Sequence, residues 1–285
     1  MDQVSTIERV LRGMAISLVI IFFMFPILWI FLMSFQTNET ILQIPPKLFF
    51  EPTIVNYKGL ITGQLETAAG SLKIEFMGNL FNSLFLSTSA VIVGLILGVP
   101  AAYAFARLKF KGSEDIAFTL LSFRFAPPLL VLLPLTIYFQ QLGLADTYVG
   151  LIWVYQLIVL PLILWIVRGY FEDIPADIEY AYRIAGHGFW STFRKIALPL
   201  AGPGIAAAGL LAFIFAWNNF IFALVLASAD KQPVTVGALA FITASGINYG
   251  QIAAGIVLSI TPTFALAMYA QRYLVEGLSL GAVKG

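Results

Sequence analysis

Arg124 is the most unusual candidate for chemistry in this sequence, because it is a charged residue inside an otherwise apolar run. A charge in a membrane-like segment is a candidate functional group. Pro127 and Pro128 follow it and leave backbone acceptors without helical partners. Two interpretations stay open: Arg124 faces a translocation pathway, or it pairs with a carbonyl or polar side chain that the prolines free.

Trp217, Asn218 and Asn219 form a second polar group within a run of Phe, Ile and Ala. Their amides could hydrogen-bond hydroxyl groups, and the indole offers a flat face that suits a pyranose ring. Alternatively, they join neighbouring helices through hydrogen bonds worth about 0.6 to 2 kcal/mol each. The three residues are candidates for a translocation pathway, although the structural interpretation is favoured for any single one.

Several kinds of active site are excluded by what the sequence lacks. It has no cysteine and one histidine, His187, so disulfides, thiolate chemistry and multi-histidine metal sites are excluded. It has no Gly-x-x-x-x-Gly-Lys-[Ser/Thr] motif, so this chain does not bind ATP through a Walker site. Paired intramembrane carboxylates do not occur either. We therefore expect no enzymatic activity, metal or cofactor in this chain itself.

The composition places these residues in a membrane. Hydrophobic residues make up 60% of the 285 residues and charged residues 11%, with a mean hydropathy of +0.90, whereas soluble domains carry far more charge. The net charge of +1 argues against nucleic acid as a partner. Long apolar runs predict an all-α polytopic protein with six transmembrane helices, at about Met14–Met33, Ser83–Phe105, Ile116–Phe139, Tyr148–Val167, Gly204–Leu226 and Ile252–Tyr273.

Basic residues in the connections predict the orientation. Eleven Lys and Arg residues fall on one side and four on the other, so both termini are expected in the cytoplasm. The predicted organisation is a cytoplasmic segment 1–13, a first helix 14–33, an irregular extracytoplasmic loop 34–79, a core 80–273 with five helices and a cytoplasmic loop at 170–199, and a cytoplasmic tail 274–285. Within the second helix, Gly94 and Gly98 have the spacing that permits close helix approach.

The loop 170–199 carries its own helix signals. Pro175 suits the first turn of a helix, acidic residues follow near its positive end, and Gly186 is placed to end it. An apolar stripe at helical spacing lies between them, formed by Ile178, Ala181, Tyr182 and Ala185.

A second amphipathic stretch in this loop is predicted from Phe189 to Leu198, ending at Pro199. The polar face of the first helix is mixed in sign, and a sharp turn follows it at Gly186. These features favour docking on a protein partner, and the alternative is a helix that rests on lipid headgroups.

The loop resembles the EAA loop of permease subunits of binding-protein-dependent ABC importers. The resemblance is carried by the spacing of Glu179, Ala181, Gly186, Ile196, Leu198 and Pro199. Tyr180 departs from the pattern, since alanine is usual there. The segments Phe-Arg-Phe-Ala-Pro-Pro from Phe123, Ala-Trp-Asn-Asn-Phe from Ala216 and the tail from Gln271 to Gly285 are similar to the carbohydrate-importer branch, particularly its MalG-type subunit.

The resemblance implies roles for particular residues. The loop would dock on a cytoplasmic ATPase subunit through Glu179, Tyr180, Ala181, Gly186, Ile196 and Pro199. The tail, with Gly281, Val283 and Lys284, would enter the interface between the ATPase subunits. An outer loop would contact the solute-binding protein, with Asn248 and Tyr249 as candidates for its polar tip.

The resemblance also implies partners, energy source and cargo. The partners are a second homologous permease, two ATPase subunits that bind ATP and Mg, an extracytoplasmic solute-binding protein and membrane lipid of the bacterial inner membrane. The cargo is a sugar, oligosaccharide, polyol, or sulfonated or phosphorylated glycoside. An ion-coupled secondary transporter is the alternative, weakened because no acidic residue lies in the six apolar runs.

Overall fold

The computed structural model describes residues 6–47, 49–67, 70–108, 110–243 and 246–281, which are mostly helical. The helices are α1 (Thr6–Met33), α2 (Asn38–Ile41), α3 (Val55–Thr62), α4 (Phe76–Arg107), α5 (Ser113–Ser122), α6 (Pro128–Gln141), α7 (Tyr148–Asp173), α8 (Ala176–Ile184), α9 (Phe189–Thr192), α10 (Leu198–Leu200), α11 (Gly202–Trp217), α12 (Ile221–Leu226), α13 (Val234–Gly237) and α14 (Tyr249–Gly281). A π-helical turn covers Phe193–Ala197, and 3-10 turns cover Phe123–Phe125, Ala229–Lys231 and Ala238–Phe241. The strands are β1 (Gln64–Thr67), β2 (Gly70–Lys73), β3 (Ile242–Thr243) and β4 (Gly246–Ile247), paired antiparallel as β1–β2 and β3–β4.

Four helices are long and apolar enough to cross a membrane, namely α1, α4, α7 and α14. Two further pairs reach this length only when taken together: Ser113–Phe125 with Pro128–Gln141, bent by 98°, and Phe189–Leu200 with Gly202–Trp217, bent by 70°. The described residues therefore hold four candidate spans, or up to six if each bent pair counts as one. The helical membrane fold is confirmed, and the count of six stays a prediction.

The predicted third span, Ile116–Phe139, is interrupted. α5 ends at Ser122, and α6 begins at Pro128. Proline lacks the N–H that a continuous helix needs and disfavours helical backbone in the residue before it. The interruption that the two prolines predicted is confirmed.

The predicted fifth span, Gly204–Leu226, is two helices rather than one. α11 ends at Trp217, and α12 begins at Ile221. The side-chain amide of Asn218 donates to the carbonyl oxygen of Ile214 over 2.8 Å, within the last turn of α11. The break falls at the polar residues that interrupt the apolar run, because asparagine side chains offer local hydrogen bonds that compete with continuation of the helix.

The first compact unit comprises residues 1–77 and 238–260. It contains most of the loop 34–79, whose ordered elements are α2, α3 and the hairpin β1–β2. Asn56 on α3 donates from Nδ2 to the carbonyl oxygens of Ser34 (2.9 Å) and Gln36 (2.8 Å). These bonds satisfy backbone groups just beyond α1 and join that turn to α3.

The second compact unit comprises residues 78–237 and 261–285, and its centre is the packing of α7 against α4 and α11. A Cβ atom added at Gly94 would lie 2.6 Å from Val159 Cγ1, and one at Gly98 would lie 2.9 Å from Ile163 Cγ2. The close helix approach predicted from these two glycines is confirmed.

Candidate functional site

The loop 170–199 forms the helix that its sequence predicts. α8 follows Pro175, which occupies the N-cap position, and ends at Ile184. Gly186 adopts the left-handed backbone conformation (φ 92°) and donates its N–H to the carbonyl of Arg183 over 3.0 Å. Because left-handed backbone is strained for residues with a Cβ atom, glycine suits this turn.

The buried face of α8 is centred on Glu179, which is 5% exposed. Tyr103 donates from its hydroxyl to Glu179 Oε2 over 2.6 Å, and Arg107 donates from Nε to Oε1 over 2.8 Å. Arg107 also donates from Nη2 to the carbonyl oxygen of Ile174 over 2.7 Å. The carboxylate is therefore compensated inside the chain by a cation and a hydroxyl, as a buried charge requires.

Tyr103 and Arg107 lie one turn apart near the end of α4, so they share a face of that helix. Their i, i+4 spacing shows in the sequence that they share a helix face, but it does not show that this face meets Glu179. Sequence reasoning missed both residues as members of the site.

Aromatic side chains surround the Tyr103 ring. Its centroid lies 5.2 Å from that of Phe171 on α7, 5.6 Å from that of Phe189 and 4.8 Å from that of Phe193. These distances are typical of favourable aromatic pairs. The end of α4 is thus packed against the end of α7 and against the second helical stretch of the loop.

That second stretch is helical throughout. The π turn over Phe193–Ala197 is followed by α10, which includes Pro199, and the bend comes only before α11. The helical stretch Phe189–Leu200 thus ends one residue after Pro199, where the sequence predicted its end.

Around the rest of α8, large apolar side chains are exposed together with Asp177 and Arg183. We call the surface of these apolar side chains the outer face; Ile178 is 45% exposed, Tyr180 57%, Ile184 87% and, beyond the turn, Trp190 66%. Ala181, Gly186 and Pro199 are also exposed, and Ile196 is half-buried. Of the residues that the resemblance assigned to ATPase docking, Glu179 alone points inward. Their contact with a partner stays a prediction.

Arg124 lies in the 3-10 turn between α5 and α6 and is half-buried. Its guanidinium carbon lies 4.3 Å from the ring centroid of Phe215 on α11, a cation–π contact. Among the described residues, Nη1 is shielded from solvent and has no hydrogen-bond partner. The arginine therefore retains hydrogen-bonding capacity beside the broken helix.

The polar residues Trp217, Asn218 and Asn219 differ in their exposure to solvent. Trp217 is 5% exposed and stacks on Phe213 with centroids 5.6 Å apart. Asn219 is 7% exposed, and its carbonyl oxygen accepts from Thr235 Oγ1 over 2.7 Å. Asn218 is exposed. Neither contact is a side-chain hydrogen bond between helices, because the stack lies within α11 and Thr235 bonds the backbone of Asn219. Both interpretations of the three residues therefore stay predictions.

The candidates for the binding-protein contact lie at the start of α14. Asn248 accepts from the backbone N–H of Gln251 through Oδ1 over 3.0 Å, as a helix cap does. Tyr249 is 38% exposed, and its backbone N–H donates to Asn38 Oδ1 over 3.0 Å. In the tail, Gly281 is the last residue of α14, whereas Val283 and Lys284 lie outside the described residues.

An exposed polar network joins the loop after α6 to the segment after α12, and sequence reasoning missed it. Asp146 accepts from the backbone N–H (2.9 Å) and hydroxyl (2.6 Å) of Ser228. These hydrogen bonds from Ser228 hold the pKa of Asp146 below its usual value. A hydrogen bond from Lys231 lowers the pKa of Asp230 to about 2, with a further hydrogen bond from Ser228. Both acids are thus charged at neutral pH.

An ion-pair network between α7 and α5 was also missed. Arg168, near the end of α7, donates to Glu172 Oε1 from Nε over 2.6 Å and to Glu114 on α5 from Nη2. Only 9% of the Arg168 side chain is exposed, whereas 72% of the Glu114 side chain and 47% of the Glu172 side chain are exposed. The network therefore fixes the start of α5 against α7.

A metal-binding arrangement is lacking from the described ranges: they contain no group of three or more His, Cys, Asp or Glu side chains that could hold a metal ion. The geometry of the loop offers contacts and hydrogen bonds, and no nucleophile paired with a base. The arrangement is suited to docking and to mechanical connection between helices.

Comparisons with known proteins agree with this description. Residues 90–279 match the family model described as "Binding-protein-dependent transport system inner membrane component". The chain is 35% identical over 276 residues to the trehalose transport system permease protein SugB of Mycobacterium tuberculosis, covering 94% of this chain and 95% of that protein. It is 31% identical over 283 residues to the trehalose/maltose transport system permease protein MalG of Thermococcus litoralis, covering 99% of each.

A solved structure shares the fold. A chain in the crystal structure of a bacterial ABC transporter involved in the import of the acidic polysaccharide alginate superposes with a TM-score of 0.77 at 23% identity, covering 96% of this chain and 99% of that chain. The family match covers the loop with Glu179, and the fold match covers nearly the whole chain. The chain therefore belongs to the family of inner membrane components of binding-protein-dependent transport systems.

Proposed function

We propose that this chain is one permease half of an ATP-driven importer, and that a cytoplasmic ATPase subunit docks on the outer face of α8. The observation that carries the proposal is the exposure of large apolar side chains on a short helix whose other face is fixed by a buried ion pair. Exposed apolar patches of this kind mark interaction surfaces.

The charge pattern favours a protein over lipid as the occupant of the outer face. A helix that rests on headgroups carries mainly Lys and Arg on its polar side. In α8 the exposed polar residues are Asp177 and Arg183, one of each sign. Under the proposal, the ATPase subunit contacts Tyr180, Ala181 and Gly186, and Ile196 and Pro199 flank this contact. Glu179 holds α8 in place from its buried side.

The energy source lies outside this chain under the proposal. The sequence lacks a Walker motif, so two ATPase subunits bind ATP and Mg, and the permease changes between inward-open and outward-open states that different partners stabilise. A second homologous permease completes the pathway. The basic residues place both termini in the cytoplasm, where the tail with Gly281, Val283 and Lys284 reaches the ATPase interface.

The cargo proposed is a sugar or sugar derivative. Relatives are named for trehalose, maltose and arabinooligosaccharides, and a structural relative at 14% identity was solved with an alginate pentasaccharide-bound periplasmic protein. On this chain, Arg124 and Asn218 are proposed to face the pathway, with Trp217 and Asn219 behind them. Asn248 and Tyr249 are proposed to meet an extracytoplasmic solute-binding protein.

Co-purification tests the docking surface. The change is Ile184→Asp with Trp190→Asp, which places two carboxylates on the outer face, and the matched control is Ile61→Asp, since Ile61 is also apolar and exposed (65%) on the first unit. The ATPase subunits should co-purify with wild type and with the control but not with the double variant, at equal amounts of inserted permease.

Two results would contradict the proposal. Retention of the ATPase subunits by the double variant would remove the outer face from the interface. ATP-independent sugar uptake by the chain alone in liposomes would instead support an ion-coupled or facilitated carrier.

A further inference from the structure

We propose that Arg124 binds an anionic group of the cargo, such as a carboxylate, sulfonate or phosphate on a sugar, with Phe215 and Asn218 beside it. The inference rests on the proposed function, because it needs a cargo that passes along this chain. It adds a charge to that cargo, which the proposed function describes only as a sugar or sugar derivative. Arg124 is then a residue that selects the cargo by its charge.

Arg124 lies where a candidate membrane span leaves helical backbone. The 3-10 turn Phe123–Phe125 separates α5 from α6, and Ala126 and Pro127 after it are extended, with ψ angles of 126° and 122°. The two helices of this span are bent by 98°. Non-helical backbone inside a membrane is tolerated where it is buried in protein or lines a water-filled cavity. The break therefore holds a cation at a position suited to a pathway.

The charge of Arg124 has no carboxylate partner in the described part of the chain. Its Nη1 is shielded from solvent and lacks a hydrogen-bond partner there, while its guanidinium carbon lies 4.3 Å from the ring centroid of Phe215. The other described arginines that are shielded from solvent are matched: Arg107 is paired with Glu179, and Arg168 with two carboxylates. A cation–π contact leaves N–H donors without an acceptor. Arg124 thus retains donors and charge for a group from outside the chain.

The sequence offers no counter-ion for Arg124 within its spans, since no acidic residue lies in the six apolar runs. Hydroxyl groups of a neutral sugar supply hydrogen-bond acceptors but no negative charge, whereas a carboxylate, sulfonate or phosphate supplies both. The attraction between opposite charges is much stronger in a site of low dielectric constant than in water. An anionic cargo therefore compensates Arg124 more fully than a neutral one.

Phe215 and Asn218 complete the candidate subsite. They lie three residues apart at the end of α11, so they share a face of that helix. Phe215 is 43% exposed, and Asn218 is also exposed. Asn218 Nδ2 donates to the carbonyl oxygen of Ile214 over 2.8 Å, which leaves Oδ1 able to accept from a sugar hydroxyl. The subsite thus offers a fork for an anion, an apolar ring and an amide acceptor within one stretch of surface.

Binding of a matched pair of glycosides to the complete permease–ATPase complex tests the inference. The probes are methyl α-D-glucoside and methyl α-D-glucuronide, in which a carboxylate replaces the hydroxymethyl group. Isothermal titration is carried out in phosphatidylcholine nanodiscs, without the solute-binding protein, because that protein binds cargo itself. Arg124→Gln removes the charge, and Arg124→Lys keeps the charge but loses the planar fork. Arg12→Gln, an exposed position on α1, is the matched control.

Wild type and Arg12→Gln should bind the glucuronide roughly 10- to 100-fold more tightly than the glucoside, as expected for added hydrogen bonds between charged groups. Arg124→Gln should reduce this ratio to about 1, and Arg124→Lys should give an intermediate ratio. Inorganic sulfate should compete with the glucuronide in wild type, a result that does not depend on the folding of any variant.

Equal affinities of wild type for the two glycosides would overturn the inference, as would an unchanged ratio in Arg124→Gln. Phosphatidylglycerol added to the nanodiscs tests a lipid as the source of the anion. If it weakens glucuronide binding in wild type but not in Arg124→Gln, the guanidinium binds a lipid headgroup and its role in cargo binding is refuted. The proposed function fails by a different result, namely a wild type that does not co-purify with ATPase subunits or that takes up sugar without ATP.

Discussion

The packing of α4 on α7 should be weakened by one methyl group at Gly94. A Cβ atom there would lie 2.6 Å from Val159 Cγ1 and 3.0 Å from Ile163 Cδ1. Both neighbours are fully buried, and β-branched side chains are stiff about χ1, so neither can move aside without repacking. Overpacking costs about 1 to 3 kcal/mol, whereas alanine in place of a helical glycine gains about 1 kcal/mol at most. Two contacts this close to buried neighbours place the cost at the upper end of that range, so Gly94→Ala should destabilise the protein by about 2 kcal/mol.

Two further glycines provide controls for this substitution. A Cβ atom at Gly78, also on α4, meets nothing within 4 Å, and one at Gly209 on α11 meets Leu95 Cδ1 at an ordinary 3.6 Å. Gly78→Ala and Gly209→Ala should be at least as stable as wild type. Thermal unfolding of the reconstituted permease is the assay, and a Tm lowered by roughly 2 to 8 °C is expected for Gly94→Ala alone. Equal Tm values for Gly94→Ala and Gly78→Ala would refute the reasoning.

Two other predictions concern the turn after α8 and the exposed polar network around Asp146 and Ser228. Gly186→Ala should cost about 1 to 2 kcal/mol through its positive φ and weaken ATPase co-purification, whereas Gly188→Ala (φ −74°) should not; equal effects would contradict the role of the left-handed turn. Hydrogen bonds from Ser228 lower the pKa of Asp146 in the folded protein. Their contribution to stability is therefore fully present above the pKa of about 4 in the unfolded chain, and it is lost as the pH falls through the pKa of the folded state. Hydrogen exchange near Ser228 should thus show the same protection, after correction for intrinsic rates, from pH 8 to 5 and less protection below about pH 4; a loss of protection near pH 6 would contradict this.

The bounds of α8 and the break before α6 could be predicted from single proline and glycine residues in the sequence. Pro175 and Gly186 bound α8 within a residue or two, and Pro127 with Pro128 identified the break before α6. Each of these residues acts on its own backbone, so no distant partner is needed to interpret it. The contacts of Glu179 could not be predicted, since its partners Tyr103 and Arg107 lie 76 and 72 residues earlier in the chain. A single sequence does not show which of the many polar residues will meet across that separation.

The orientation of α8 shows why periodicity alone misleads at a docking helix. An apolar stripe normally marks the face that a helix buries in its own protein, and here the stripe includes Ile178 and Ala181, both exposed. The buried face is the one with the carboxylate of Glu179, where Tyr103 and Arg107 supply a hydroxyl and a cation that compensate the buried charge. An internal polar contact thus leaves the apolar side outward, where a partner can bury it. The same inversion, a buried charge opposite an exposed apolar stripe, is a physical criterion for recognising a docking helix on other membrane proteins.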